Sequence, residues 1–268
     1  MPRSLAVTGA LMVAVLMLAG TVQGYNGGPL RNVTDLTPTC AGCHSSMSKD
    51  QLRVEPEALA ASMVVENKHY KAIEEGSGPY KDMSPADRQK LLADVKLVDQ
   101  NASVTVTAPT SAKPGQEIQL TANVRGGHGV VGVFLLEPDL RLQGRPLTSD
   151  GWVIVGPPKV WGSDGNEQTK WVDSRGAGLS KNLNSALVFD QKSDLAAKKF
   201  PEAKVVWTVR APQAAGTYQV AVAFHYGSEK ASPVGTVTTP PGAVLPRGGP
   251  GGPSGHVLIS KVQTVTVR

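Results

Sequence analysis

The chain has 268 residues, 27 Lys and Arg against 22 Asp and Glu, a formal charge of +5 and two cysteines. Residues 25–100 carry 9 basic against 11 acidic side chains and residues 101–268 carry 17 against 11, so the basic excess sits in the second part. Those basic residues are scattered and lack interleaved aromatics, which argues against a nucleic-acid surface, and the length suits two domains, or one sandwich with a small appended domain.

In chain order, the first element is a predicted signal peptide over 1–24. Arg3 supplies the positive start, Leu11 to Leu18 the apolar core, and Val22-Gln23-Gly24 the cleavage region. The apolar run is about half of the ~20 residues that a spanning helix requires, and no second long apolar run follows. The expected product is therefore exported, periplasmic or extracellular at the cell surface, with no integral membrane segment after cleavage.

Residues 40–44 read Cys-Ala-Gly-Cys-His. Two thiols separated by two residues can reach the two vinyl groups of a haem, and the adjacent imidazole then lies under the iron, so Cys40, Cys43 and His44 are the expected attachment set with His44 as proximal ligand. A redox dithiol and half of a zinc site compete with that assignment. A structural zinc site takes four ligands, and the sequence holds no further cysteine; a thioredoxin-like dithiol is expected beside a βαβ pattern, which is missing. Two cysteines allow one covalently bound haem c.

A helix is predicted over Glu57 to Glu75, with Leu59, Met63, Tyr70 and Ile73 on one stripe and Gly76 at its end. A second is predicted to start with Ser84 as N-cap, Pro85 at the first helical position and Asp87 three residues after the cap, burying Leu91, Val95 and Val98. Attachment motif, helix, Gly-rich loop Gly76-Ser77-Gly78-Pro79-Tyr80 and capped final helix together resemble a small monohaem c-type cytochrome domain. The stretch from Tyr25 to Cys40 leaves little room for that family's N-terminal helix, and the loop lacks its Met-Pro pair. The resemblance implies a sixth iron ligand chosen among His69, Met83, Met63 and Met47, or a vacant position. His69 is preferred and Met83 comes next, so the expected metal ligands are His44 and His69.

From Ser103 the apolar period changes to two. Val104 and Val106, Ile118 to Val124, Val130 to Leu136, Trp152 to Val155, Val205 to Val209, Thr217 to Tyr226 and Val257 to Val267 are the predicted strands. In Gly216-Thr217-Tyr218-Gln219-Val220, the tyrosine resembles the tyrosine corner of immunoglobulin-like sandwiches, whose phenol bonds back to nearby backbone. Residues 156–204, with Trp161 and Trp171, are expected as a long insertion, and 239–255 as a Gly/Pro-rich loop. The tryptophans either cap the core or form a binding surface; His128, His225 and His256 are expected as structural or surface residues. No nucleophile with its base, and no phosphate-cradling loop, can be assembled, so no enzyme is expected.

The expected fold class is multidomain: a small all-α cytochrome c-like domain over 25–100 followed by an all-β immunoglobulin-like sandwich over 101–268. The expected function is single-electron transport with a redox partner protein, the sandwich docking or positioning the haem. Two alternatives stand beside it. An open sixth position makes a small-ligand binding or sensing protein, and a dominant sandwich makes a surface adhesion or assembly module with accessory haem.

Overall fold

Helix-period and strand-period segments meet at Asn101, and the structure, a computed structural model that describes residues 69–137, 145–169, 183–240, 242–247 and 256–268, shows how they join. Two α-helices lie among the described residues, α1 (Lys71–Glu75) and α2 (Pro85–Gln100). α1 stops at Gly76, whose φ of 69° is a left-handed conformation that costs glycine little, and Ser77 N–H donates back to the Ala72 carbonyl at 2.9 Å. α2 starts as its sequence predicts. Ser84 Oγ accepts from the Asp87 N–H at 3.1 Å, and Pro85 stands where no backbone donor is required.

Fourteen strands follow among the described residues. They are β1 (Ser103–Thr107), β2 (Ser111–Ala112), β3 (Glu117–Arg125), β4 (His128–Glu137), β5 (Arg145–Pro146), β6 (Val153–Ile154) and β7 (Lys159–Trp161). Then come β8 (Ser185–Gln191), β9 (Glu202–Arg210), β10 (Gly216–Gly227), β11 (Thr236–Thr238), β12 (Val244–Pro246), β13 (His256–Ile259) and β14 (Gln263–Val267). The first sheet runs β1-β3-β9-β6, with β7 also paired to β9. The second runs β2-β14-β10-β4-β5, with β13 on β10 and β8 on β4; β11 and β12 form a separate ribbon. Every pairing is antiparallel except β14 with β2.

The two sheets share one core. Alternation on β3 and β9 sends Leu120, Ala122, Val205 and Trp207 inward, where they join a buried cluster with Val133, Leu135, Val222 and Phe224 from the second sheet. Trp207 satisfies its indole N–H by donating to the Leu183 carbonyl at 2.8 Å. Tyr218 donates to the Ala214 carbonyl at 2.9 Å and ties down the turn that feeds β10. The opposite face of β10 is buried as well: Ala221, Ala223 and His225 are 0% exposed, and the His225 ring lies 4.5 Å from that of Phe134.

This architecture corrects the expected fold class. The described chain is predominantly β, and its two helices form no all-α cytochrome c-like domain. Val98 of α2 belongs to the same buried cluster as the sandwich strands. Leu91 and Val95 pack with Ile73, Tyr80 and Met83, a cluster that Val234, from the segment before β11, helps to cover. Through Val98 and Val234 the helices pack on the sandwich, and that tertiary packing stabilises them. The fold is a β-sandwich bearing a helical arm, in place of a cytochrome c-like domain followed by an immunoglobulin-like one.

Candidate functional site

The outward face of the first sheet carries the best-organised set of accessible side chains. Because β3 and β9 bury every second residue, Gln119, Thr121 and Asn123 project outward on β3, and Lys204, Val206 and Thr208 on β9. On β7, Val160 is fully buried, so its neighbours Lys159 and Trp161 face the other way. Strand register then aligns one row across four strands: Thr105 opposite Asn123, Asn123 opposite Lys204, and Lys204 opposite Trp161. Direct opposition lets Lys204 Nζ lie 4.2 Å from the centroid of the Trp161 ring, a cation–π contact.

Trp161 is held from behind. Gly162 N–H donates to the Asn166 carbonyl at 3.0 Å and Gln168 N–H to the Val160 carbonyl at 2.7 Å, closing a tight hairpin. The Gln168 amide also grips β8, its Nε2 donating to the Phe189 carbonyl at 3.1 Å and its Oε1 accepting from the Phe189 N–H at 2.9 Å. At the hairpin tip, hydrogen bonds from Asn166 to Asp164 hold that carboxyl below its ordinary value. Half-buried and fixed in this way, Trp161 forms with Lys204 a ridge between two depressions. One, of about 400 Å³, includes Thr105, Asn123, Arg125 and Glu202 in its lining. The other, of about 950 Å³, includes Gln119, Thr121, Lys159 and Glu167. Arg125 and Glu202, in register, form an exposed ion pair at 3.8 Å.

Of the residues expected to hold haem, only His69 and Met83 are among the described residues. Cys40, Cys43 and His44 lie outside the described residues, as do Met47 and Met63. His69 is 1% exposed, and its Nε2 lies 2.7 Å from Glu229 Oε1, which also accepts the Tyr80 hydroxyl at 2.8 Å. Burial pushes the imidazole pKa down, but the charge and hydrogen bond of Glu229, with a contribution from Asp99, outweigh it, so His69 is raised above its ordinary value. Burial and the same carboxylate push the Tyr80 phenol upward. Met83 is 6% exposed and packs in the cluster beneath α1 and α2.

The identification as a monohaem c-type cytochrome, with haem iron and electron transport as its function, is overturned on these observations. Among the described residues no group of three or more His, Cys, Asp or Glu side chains is arranged to hold a metal ion. His69 directs its Nε2 at Glu229, and the helices expected around a haem pack on the sandwich. His128 is lowered, chiefly by burial and then by Lys230; the β13 backbone places His256 opposite Tyr226.

Fold and site together define a β-sandwich with a polar, aromatic-bearing open face. No protein-family model matches the chain, and no curated protein does. Among solved structures it is similar to the C-terminal domain of the Streptococcus agalactiae AgI/II polypeptide BspA, at 10% identity and a TM-score of 0.31, covering 62% of this chain and 50% of that one. It is also similar to a PapD-like domain of human CEP192, at 11% identity and a TM-score of 0.21, covering 63% of this chain and 85% of that one. The chain thus spans half the length of the BspA domain, and neither likeness is close enough to assign a fold or a function.

Sequence patterning singled out Trp161 as a cap or a binding surface but missed the row that surrounds it. Thr105, Asn123 and Lys204 lie in three separate strands, and only register brings them together. The available signal was the alternation itself, which leaves threonine, asparagine, glutamine and lysine on one side of β1, β3 and β9.

Proposed function

We propose that this chain is an exported, non-catalytic attachment module whose sandwich binds a surface or assembly partner through the open face of the first sheet. The observation that carries this reading is the row Thr105, Asn123, Lys204 and Trp161, aligned by register, with a depression on each side of its aromatic end. No described helix is long and apolar enough to cross a membrane.

The test is co-sedimentation of the full chain with cell-envelope fractions, for wild type and for the double variant Trp161→Ala, Lys204→Ala. Retention should fall at least about tenfold in the double variant while the thermal midpoint stays within a few degrees. A tenfold loss in binding corresponds to about 1.4 kcal/mol, a modest share for one aromatic anchor and one cation. Equal retention of both proteins would move the attachment surface off this face.

A further inference from the structure

The chemistry of the open face narrows its partner, an inference that rests on the attachment reading above. We propose that the face binds an acidic polysaccharide, a chain of sugar rings carrying carboxylates, laid along the strands and over the Trp161–Lys204 ridge.

Shape supports a chain over a small molecule. The Trp161–Lys204 ridge divides two depressions offset along the strands, one reaching Arg125 of β3 and the other Gln119 of the same strand, about 20 Å apart. A single sugar or a free anion would fill one side and leave the other empty. An extended polymer crosses both, with its middle unit against the indole.

Composition supports a hydroxyl-rich ligand. Thr105, Asn123, Gln119, Thr121 and Thr208 all lie on the outward face. Their hydroxyls and amides both donate and accept, as sugar hydroxyls do. The indole supplies the apolar surface that the C–H face of a sugar ring requires, and its immobilisation by the hairpin lowers the ordering cost of binding.

Charge decides between neutral and acidic chains. The two depressions are lined by Arg125, Lys159 and Lys204 against Glu167 and Glu202. Arg125 and Glu202 pair with each other. Lys159 and Lys204, like Glu167, have no ion-pair partner among the described residues, which leaves the lining one net positive charge, and Lys204 stands at the aromatic ridge, where a carboxylate on a stacked ring would meet it. The chain as a whole is basic, at +5, which favours encounter with a polyanion. Two unpaired lysines and one indole are too few for a nucleic-acid track, which requires several phosphate contacts and successive stacking platforms.

The test is isothermal titration of the full chain with an α-galacturonic acid hexamer, with maltohexaose as the uncharged control and a single-stranded DNA oligomer as the polyanion control. The galacturonate hexamer should bind, at least tenfold more tightly than maltohexaose, and weaken when salt is raised from 50 to 500 mM. Trp161→Ala should weaken binding at least tenfold and Lys204→Ala about fivefold. Glu167→Gln should tighten it about twofold, a gain that a merely misfolded variant does not produce. Equal binding of maltohexaose, equal and equally variant-sensitive binding of DNA, or no binding of the uronate would each overturn the proposal. If the uronate fails while envelope retention still depends on Trp161 and Lys204, the ligand class falls and the attachment reading survives; if retention is indifferent to both residues, both readings fall.

Discussion

At the residue scale the most consequential contact joins His69 to Glu229. Two ionisable side chains, each 1% exposed, sit 2.7 Å apart with Tyr80 donating to the same carboxylate oxygen. Tyr70 donates nearby to Asp99 at 2.8 Å, and the Tyr226 phenol is raised by burial first and by Asp99 second. Gly235 lets the Glu229 backbone come close, since a Cβ there would collide with the Glu229 carbonyl oxygen. Folding therefore buries an imidazole against a carboxylate and joins the helical arm to the segment after β10.

The pH dependence follows from the direction of the His69 shift. The unfolded imidazole titrates near 6.5 and the folded one higher. The pair's contribution is thus complete below the unfolded value and is lost as pH rises through the folded one, at up to about 1.4 kcal/mol per pH unit for a single proton. Urea unfolding at pH 6 and pH 9 should show the wild type less stable at pH 9. Glu229→Gln leaves His69 buried without its counter-charge, so it should cost about 3 kcal/mol at pH 6 and remove most of the pH 6 to 9 difference. An unchanged difference in that variant would place the titrating group elsewhere.

At the element scale, local chemistry sets boundaries and long-range pairing sets positions. The N-terminus of α2 is the clearest case: Ser84 donates its hydroxyl to the Asp87 carboxylate at 2.8 Å while accepting the Asp87 N–H at 3.1 Å. Ser84→Ala should cost about 1 kcal/mol in chemical unfolding. A cost below a few tenths would show that Pro85 and packing alone hold that end.

The same contrast explains what was legible in the sequence. Strands with one face in the core and one in water, β3 and β9, announce themselves by alternation. β8 does not: Ser185, Ala186, Leu187, Val188, Phe189 and Gln191 are all buried, so no period-two contrast exists. β2 and β5 have two residues each, too short for any pattern. The helix of Leu91, Val95 and Val98 was legible, but what it packs against was not, because a buried stripe is the same whether it faces a cofactor, another helix or a sheet. Likewise Trp161 was visible as an unusual residue, while its alignment with Lys204, Asn123 and Thr105 depends on pairings between strands far apart in the chain.

At the scale of the molecule, arm and sandwich form a continuous structure, and Val98 tests this most directly. It is 0% exposed, lies on α2 and belongs to the same buried cluster as Leu120, Trp207 and Phe224. Arg247 adds a second tie, donating from Nη1 to Asp82 at 2.9 Å, and Ser232 a third, donating to Asp94 at 2.6 Å. The four tryptophans of the chain are all at position 152 or beyond, so their fluorescence reports the part of the chain that follows the arm. Val98→Ala removes two methyl groups from a fully buried site and should cost about 2 kcal/mol. If arm and core unfold together, urea midpoints read by tryptophan fluorescence and by ellipticity at 222 nm coincide in the wild type and shift together in the variant. Separate midpoints, with only the ellipticity moved by the substitution, would show an arm that unfolds on its own. Coincidence matters for function because β1, which follows α2 directly, carries Thr105 at the far end of the binding row. Loosening the arm would then weaken the face that Trp161 anchors from the other side.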